Sequence, residues 1–297
     1  MTRTHESTTT TWHGEPAVQV TGGGGLVAVV VPGRGAKIAS LRDSSGREWL
    51  LGPGPGVPSP ARGPASFTDA EMCGWDECVP NVDADVLDGV PLPDHGEAWT
   101  TPWTLQEDGS WGFESRLLPY RFTRRIDPTA TGLALVYTAA ALGTEPVPFQ
   151  WAAHPQLAPG PDARIELPAE ATHVDGVYGL DGRAPWTAAL ADAEHVDAGE
   201  ALKIWVAPQT PASWAGVRAA DGSLLRLSWD VASVPYLALW VDAGMFARER
   251  VVALEPATGA REALSASREE GRAQLLEPGV PVTWTVHVEV LPSPDHR

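Results

Sequence analysis

Phe149-Gln150-Trp151-Ala152-Ala153-His154-Pro155-Gln156-Leu157 sets a histidine between an apolar approach and a proline. Proline at 155 drives His154 toward extended backbone and closes any regular element behind it. The stretch therefore reads as a β-strand with an imidazole held at its end. With an unperturbed pKa of about 6.5, such a side chain exchanges a proton near neutrality, and a strand end is rigid enough to aim it. Half-buried structural histidines are common, so this reading needs partners elsewhere in the chain.

The same arrangement recurs at Val251-Val252-Ala253-Leu254-Glu255-Pro256-Ala257-Thr258-Gly259, where four apolar residues run into a carboxylate followed by proline. Desolvation at the mouth of a buried strand raises a carboxyl pKa toward the range of a general base. Further strands follow by period and composition: Gly25 to Leu41 as a hairpin, 116–123 with period-two alternation, Gly132 to Leu142, Ala163 to Leu167, Ala201 to Val217, Leu224 to Trp229, Val234 to Val241 and Val280 to Val290. Arg124 and Arg125 are adjacent, so a strand sends them to opposite faces. The 30 Gly and 28 Pro are spread along the chain, which suits many short strands and tight turns. The expectation is an all-β protein, a large antiparallel β-sandwich forming one domain over residues 1–297, with 1–12 disordered and 52–64 a Gly/Pro-rich loop.

Residues 72–103 show little strand periodicity and concentrate three Trp, several acids and His95, which a Pro93-Asp94 turn and Gly96 display rather than pack. Long segments of this kind tend to carry function. Cys73 and Cys78 have no second pair to complete a zinc site and read as half-buried residues, so no metal is expected; His173 and His195 read as surface residues. A net charge of −17 without a basic run argues against a nucleic-acid partner. No export signal and no apolar span appear, so the expected location is cytoplasmic, away from the membrane.

Taken together, the chain resembles the aldose 1-epimerase (galactose mutarotase) family. GLVAVVVPGRGAKIASLRDSSGREWL is similar to that family's opening hairpins; His95-Gly96 with Trp103 downstream, His154 in its His-Pro setting, and Glu255 in LEPATG resemble its two histidines and its base, in the same order. The resemblance implies a supersandwich with a sugar cleft, no cofactor, and interconversion of the α and β anomers of a free sugar. Glu255 would deprotonate the anomeric hydroxyl, His154 would protonate the ring oxygen and His95 would orient the substrate. Where many members carry an Asn-Arg motif before the first histidine, this chain has Gly74-Trp75-Asp76-Glu77-Cys78. Trp75, Asp76, Glu77, Trp99, Gln150 and Trp240 are the expected substrate-binding residues, with the indoles facing the C–H side of the ring. The acids from Asp69 to Asp94, Glu71 among them, suggest a neutral sugar, since an anion calls for arginine. Two other classes share such a cleft: a non-catalytic carbohydrate-binding or sensing protein, and a hydrolase or lyase.

Overall fold

Alternation along the strands builds two facing layers. In the computed structural model, which describes residues 7–55, 66–70, 72–158 and 160–293, Trp284, Val286 and Val288 of strand Val282–Leu291 point inward at 2%, 0% and 1% exposure. Strand Gly132–Ala141, antiparallel beside it, turns Leu133, Leu135, Tyr137 and Ala139 to the same interior. These two are the centre of an eight-stranded sheet that continues on one side through Leu224–Trp229, Trp214–Arg218 and Arg164–Glu166, and on the other through Tyr120–Pro128, Trp111–Glu114 and Thr104–Leu105.

The opposing sheet has eleven strands, in the spatial order Ser7–Trp12, Glu15–Thr21, Val27–Val31, Lys37–Arg42, Trp75–Cys78, Ala152–Pro155, Val251–Ala257, Tyr236–Asp242, Ala201–Val206, His173–Tyr178 and Arg183–Pro185. All of its pairings are antiparallel. Trp75 and Trp151 from this sheet meet Phe122, Tyr137 and Trp284 from the other in one aromatic-rich core that reaches from Val20 to Val288. The all-β antiparallel sandwich read from the sequence is the observed architecture.

Several local expectations are corrected. Ser7–Trp12, expected to be disordered, is a strand: its consecutive threonines Thr8 to Thr11 favour extended backbone and it pairs with Glu15–Thr21 over its whole length. Residues 72–103 contain Trp75–Cys78, near the middle of the large sheet, and a small hairpin of Asp85–Leu87 with Val90–Leu92. The turn-rich middle contributes the last two strands of the large sheet, His173–Tyr178 and, at its edge, Arg183–Pro185. Cys73 and Cys78 are fully buried. Beyond residue 55 the expected loop over 52–64 lies outside the described residues, as does Glu71. Among the described residues no helix is long and apolar enough to cross a membrane.

Period two also sends Glu77 into the interior. Its carboxylate receives Arg124 Nη1 at 2.5 Å, Tyr137 Oη at 3.0 Å and Trp151 Nε1 at 2.7 Å. Arg124 comes from strand Tyr120–Pro128 of the other sheet and also donates to the Ala36 carbonyl. Burial pushes the Glu77 carboxyl up, with the Arg124 charge opposing it. Removing one partner of such a pair strands the other charge in the core. Arg124→Met is therefore expected to lower stability by about 3–5 kcal/mol. The double variant Glu77→Gln/Arg124→Met should recover a large part of that loss, because the amide still accepts from Tyr137 and Trp151 without a net charge. Urea midpoints of the three proteins at constant m-value check this; equal losses in the single and double variants refute it.

Candidate active site

The outer face of the large sheet carries the site. Ala152 stands opposite Ala257, His154 opposite Asp76, Ala238 opposite Glu255, and Lys203 opposite Trp240. Alternation then places Asp76, His154, Glu255, Trp240 and Lys203 on one face, with small residues Cys78, Ala152, Ala238 and Ala257 leaving room between them. Above this floor is a cleft of about 390 Å³ lined by His95, His154, Lys203, Trp240, Asp83, Asp94, Glu262, Phe67 and the outer side chains Val177, Tyr178 and Phe246.

His154 and Glu255, 4% and 1% exposed, face each other with Nε2 3.7 Å from Oε1. That Oε1 is buried and has no hydrogen-bond partner. Gln156, just beyond the strand that carries His154, has Nε2 3.0 Å from His154 Nδ1; an amide N–H donated there leaves the proton of a neutral imidazole on the nitrogen that faces Glu255. Gln156 Oε1 is buried without a partner. A half-turn of the amide presents that oxygen to Nδ1–H, so one side chain serves both protonation states of His154. Burial, with the charges of His95 and Lys203, lowers the imidazole pKa well below its ordinary value. Burial also raises the Glu255 carboxyl, against the attraction of Lys203. The two groups are thus driven toward each other in acidity.

His95 approaches from the side. Its backbone is in the left-handed region at φ 57°, its N–H donates to Val82 O at 2.6 Å, and Nδ1 lies 2.8 Å from Asp94 Oδ1. Asp94 also accepts from Phe67 N–H at 2.9 Å, and the Phe67 ring stacks on the imidazole with centroids 4.0 Å apart and planes 8° apart. Burial raises the Asp94 carboxyl, but the His95 contacts and these backbone donors outweigh it and the net direction is downward. The ring expected to be displayed by its turn is instead packed, 14% exposed, and meets His154 edge-on at 4.9 Å.

The sequence reading missed Lys203. Its ammonium donates to Glu255 Oε2 and stands 3.9 Å from Glu262 Oε2. Burial disfavours the charge, yet Glu255 and Glu262 override it and hold the amine protonated far above neutrality. The available signal was one charge inside the apolar run Ala201–Val206, on the face that Trp240 also occupies. Of the expected substrate-binding residues, Trp240 lines the cleft. Trp75 is core, Glu77 serves Arg124, Gln150 Nε2 donates to the Arg261 carbonyl at 2.7 Å, and none of these three lines it. Asp76 lies beside His154 but is bound to Lys37, and Trp99 acts from behind, edge-on to Phe67 at 5.0 Å. A larger cavity of about 730 Å³ opens at the far edge between strands Glu15–Thr21 and Trp111–Glu114. Its charged groups already have partners, Arg125 with Asp127 at 2.8 Å, Glu15 with Arg34, Arg124 with Glu77 and Asp108 with Ser110.

No family model and no curated protein matches the chain. Solved structures do match over almost the whole length. A galactose mutarotase-like protein from Clostridium acetobutylicum aligns with a TM-score of 0.69 at 13% identity, covering 98% of this chain and 100% of its own. One from Lactobacillus casei gives 0.66 at 14%, covering 93% and 100%. A galactose mutarotase related enzyme from Lactobacillus acidophilus gives 0.66 at 13%, covering 94% and 98%. The fold is galactose mutarotase-like.

Gly96 fixes where His95 sits. It has φ 68°, and a Cβ there would lie 1.9 Å from the Val79 carbonyl oxygen. Gly96→Ala is expected to cost about 2 kcal/mol or more, from strain and displaced backbone together, and to move the His95 ring. A denaturation midpoint and the His95 NMR resonances report the two effects; a variant with wild-type values in both refutes the account.

Proposed function

We propose that the cleft interconverts the α and β anomers of a free, neutral sugar by acid/base ring opening. The observation carrying this reading is the His154 Nε2 to Glu255 Oε1 separation of 3.7 Å, with that oxygen otherwise unbonded, on the floor of a partly enclosed cleft. A hemiacetal presents its O1–H and its ring oxygen O5 on the same carbon, so one base and one acid close together suffice. Glu255 takes the O1 proton while His154, in the minor protonated form that reacts, gives its Nε2 proton to O5. The C1–O5 bond breaks and O1 becomes the aldehyde oxygen. After rotation about C1–C2, O5 attacks the other face of C1, returning its proton to His154 as Glu255 reprotonates O1. The opposite pKa displacements of the two groups support this exchange of roles, since little driving force is lost in either direction.

His95 has Nδ1 committed to Asp94 and offers Nε2 to a sugar hydroxyl, and Trp240 supplies an apolar wall for a C–H face. Asp83, Asp94 and Glu262 line the cleft, and its one lysine is already engaged with Glu255. Among the described residues a phosphate or uronate finds no free cation there, which supports a neutral substrate. The Lys203 contact favours one competing reading, a non-catalytic sugar-binding protein, because an ion-paired carboxylate is a weaker base. Polarimetry on freshly dissolved neutral aldoses, against heat-inactivated protein, separates the two.

Glu255→Gln is expected to lower kcat by ~10²- to 10⁴-fold with an unchanged far-UV spectrum, the usual range for a lost general base; wild-type turnover in this variant would refute the assignment. A second expectation concerns pH. The base acts ionised, so the acid limb of kcat/KM follows the Glu255 pKa, which burial raises and Lys203 holds down. Lys203→Met removes the restraining charge, so the limb should move to higher pH by roughly one unit or more, and activity should be lost first on the acid side. A limb that stays in place assigns it to another group.

A further inference from the structure

The floor of the cleft accounts for its inner end, while its outer end is apolar in a way a single hexose ring does not require. Among the described residues nine large hydrophobic side chains are exposed; three of them, Val177, Tyr178 and Phe246, line the mouth, and a fourth, Met245, touches Tyr178 beside it. Scattered apolar surface residues need no explanation, but a contiguous group beside a cleft does.

This group is built rather than incidental. Asp242 is fully buried, and its carboxylate accepts the N–H groups of Gly244 at 2.9 Å, Met245 at 2.7 Å, Phe246 at 3.1 Å and Ala247 at 2.7 Å. A buried carboxylate is costly unless donors saturate it, and here the saturation fixes a turn whose tip displays Met245 and Phe246. Across the mouth, the pairing of His173–Tyr178 with Ala201–Val206 shifts register between Gly176 and Tyr178, a bulge of the kind that re-aims side chains. The Tyr178 hydroxyl donates to Met245 Sδ at 3.3 Å, which ties the two sides together. Trp240 completes the surface, its ring centroid 5.9 Å from Phe246 and 6.5 Å from Tyr178.

We propose that this rim is a second sugar subsite: the substrate is the reducing end of an oligosaccharide, and the next pyranose, linked at C3 or C4, lies over Tyr178 and Phe246. The proposal rests on the reading of the floor as an anomer-interconverting pair. That reading puts the C1–O5 edge of the ring against Glu255 and His154. The opposite edge of a pyranose is C3–C4, which then points out of the cleft, so a substituent there leaves across the rim. A glycosyl unit in that place presents a C–H face to the aromatic rings and its hydroxyl edges to water. A free C1 is needed for ring opening, so the extension is on the non-reducing side.

The test uses the intact protein and compares methyl maltoside and methyl lactoside each with methyl glucoside, the monosaccharide of their shared reducing end, by titration calorimetry; none of these glycosides can open. At least one disaccharide glycoside should bind about tenfold more tightly than its monosaccharide. Tyr178→Ala and Phe246→Ala should each reduce that ratio about threefold with little change for the monosaccharide. The same preference should appear in kcat/KM for maltose or lactose over glucose by polarimetry. Equal affinities within both pairs, no binding of any of the three, or variants that weaken monosaccharide and disaccharide alike overturn the subsite. A disaccharide preference in calorimetry with no mutarotation of any sugar leaves the subsite standing and sinks only the catalytic reading.

Discussion

One buried ion pair fastens the two sheets: Glu77 of the larger meets Arg124 of the smaller, both side chains essentially inaccessible. Such a pair is a poor source of net stability, but it is intolerant of misplacement. Strand Trp75–Cys78 carries Glu77 inward and Asp76 outward. A slip of one residue would turn the site-face acid into the core and strand Arg124, so the pair pins the register. From that register the rest of the floor follows. His154 lies opposite Asp76, and Ala152 lies between Cys78 and Ala257, which places Glu255 on the same face. His154 and Glu255, 101 residues apart in sequence, are therefore positioned by a contact made on the other side of the sheet.

What could be read from the sequence divides along the same physical lines. His154 and Glu255 were legible because each ends an apolar run at a proline, a local signal. The inward strands Gly132–Ala141 and Val282–Leu291 were legible from their period. Glu77 and Asp76 were not separable: strand Trp75–Cys78 is buried on both faces, so it lacks the hydrophobic alternation that would have shown which acid points where. Ser7–Trp12 was lost because its polarity reads as disorder, although its edge position requires little burial and threonine favours the extended state. Lys203 and Gln156 depend on cross-strand partners that no local window contains.

The charges on the floor cancel in pairs. Asp76 is held by Lys37 and Glu255 by Lys203, and these two pairs share the site face with His154. A free carboxylate beside an imidazole would hold it protonated. With each acid matched by its own ammonium, burial and the cations prevail instead, and His154 is kept a weak base despite the −17 charge of the chain. A ligand entering this floor therefore meets dipoles and hydrogen-bond acceptors more than a net field. An anion would have to draw Lys203 away from Glu255, leaving a buried carboxylate without its partner, a far larger penalty than any surface ion pair repays. Under the proposed reading, a hydroxylated neutral ring bridges Glu255 and His154 while both lysine pairs remain in place.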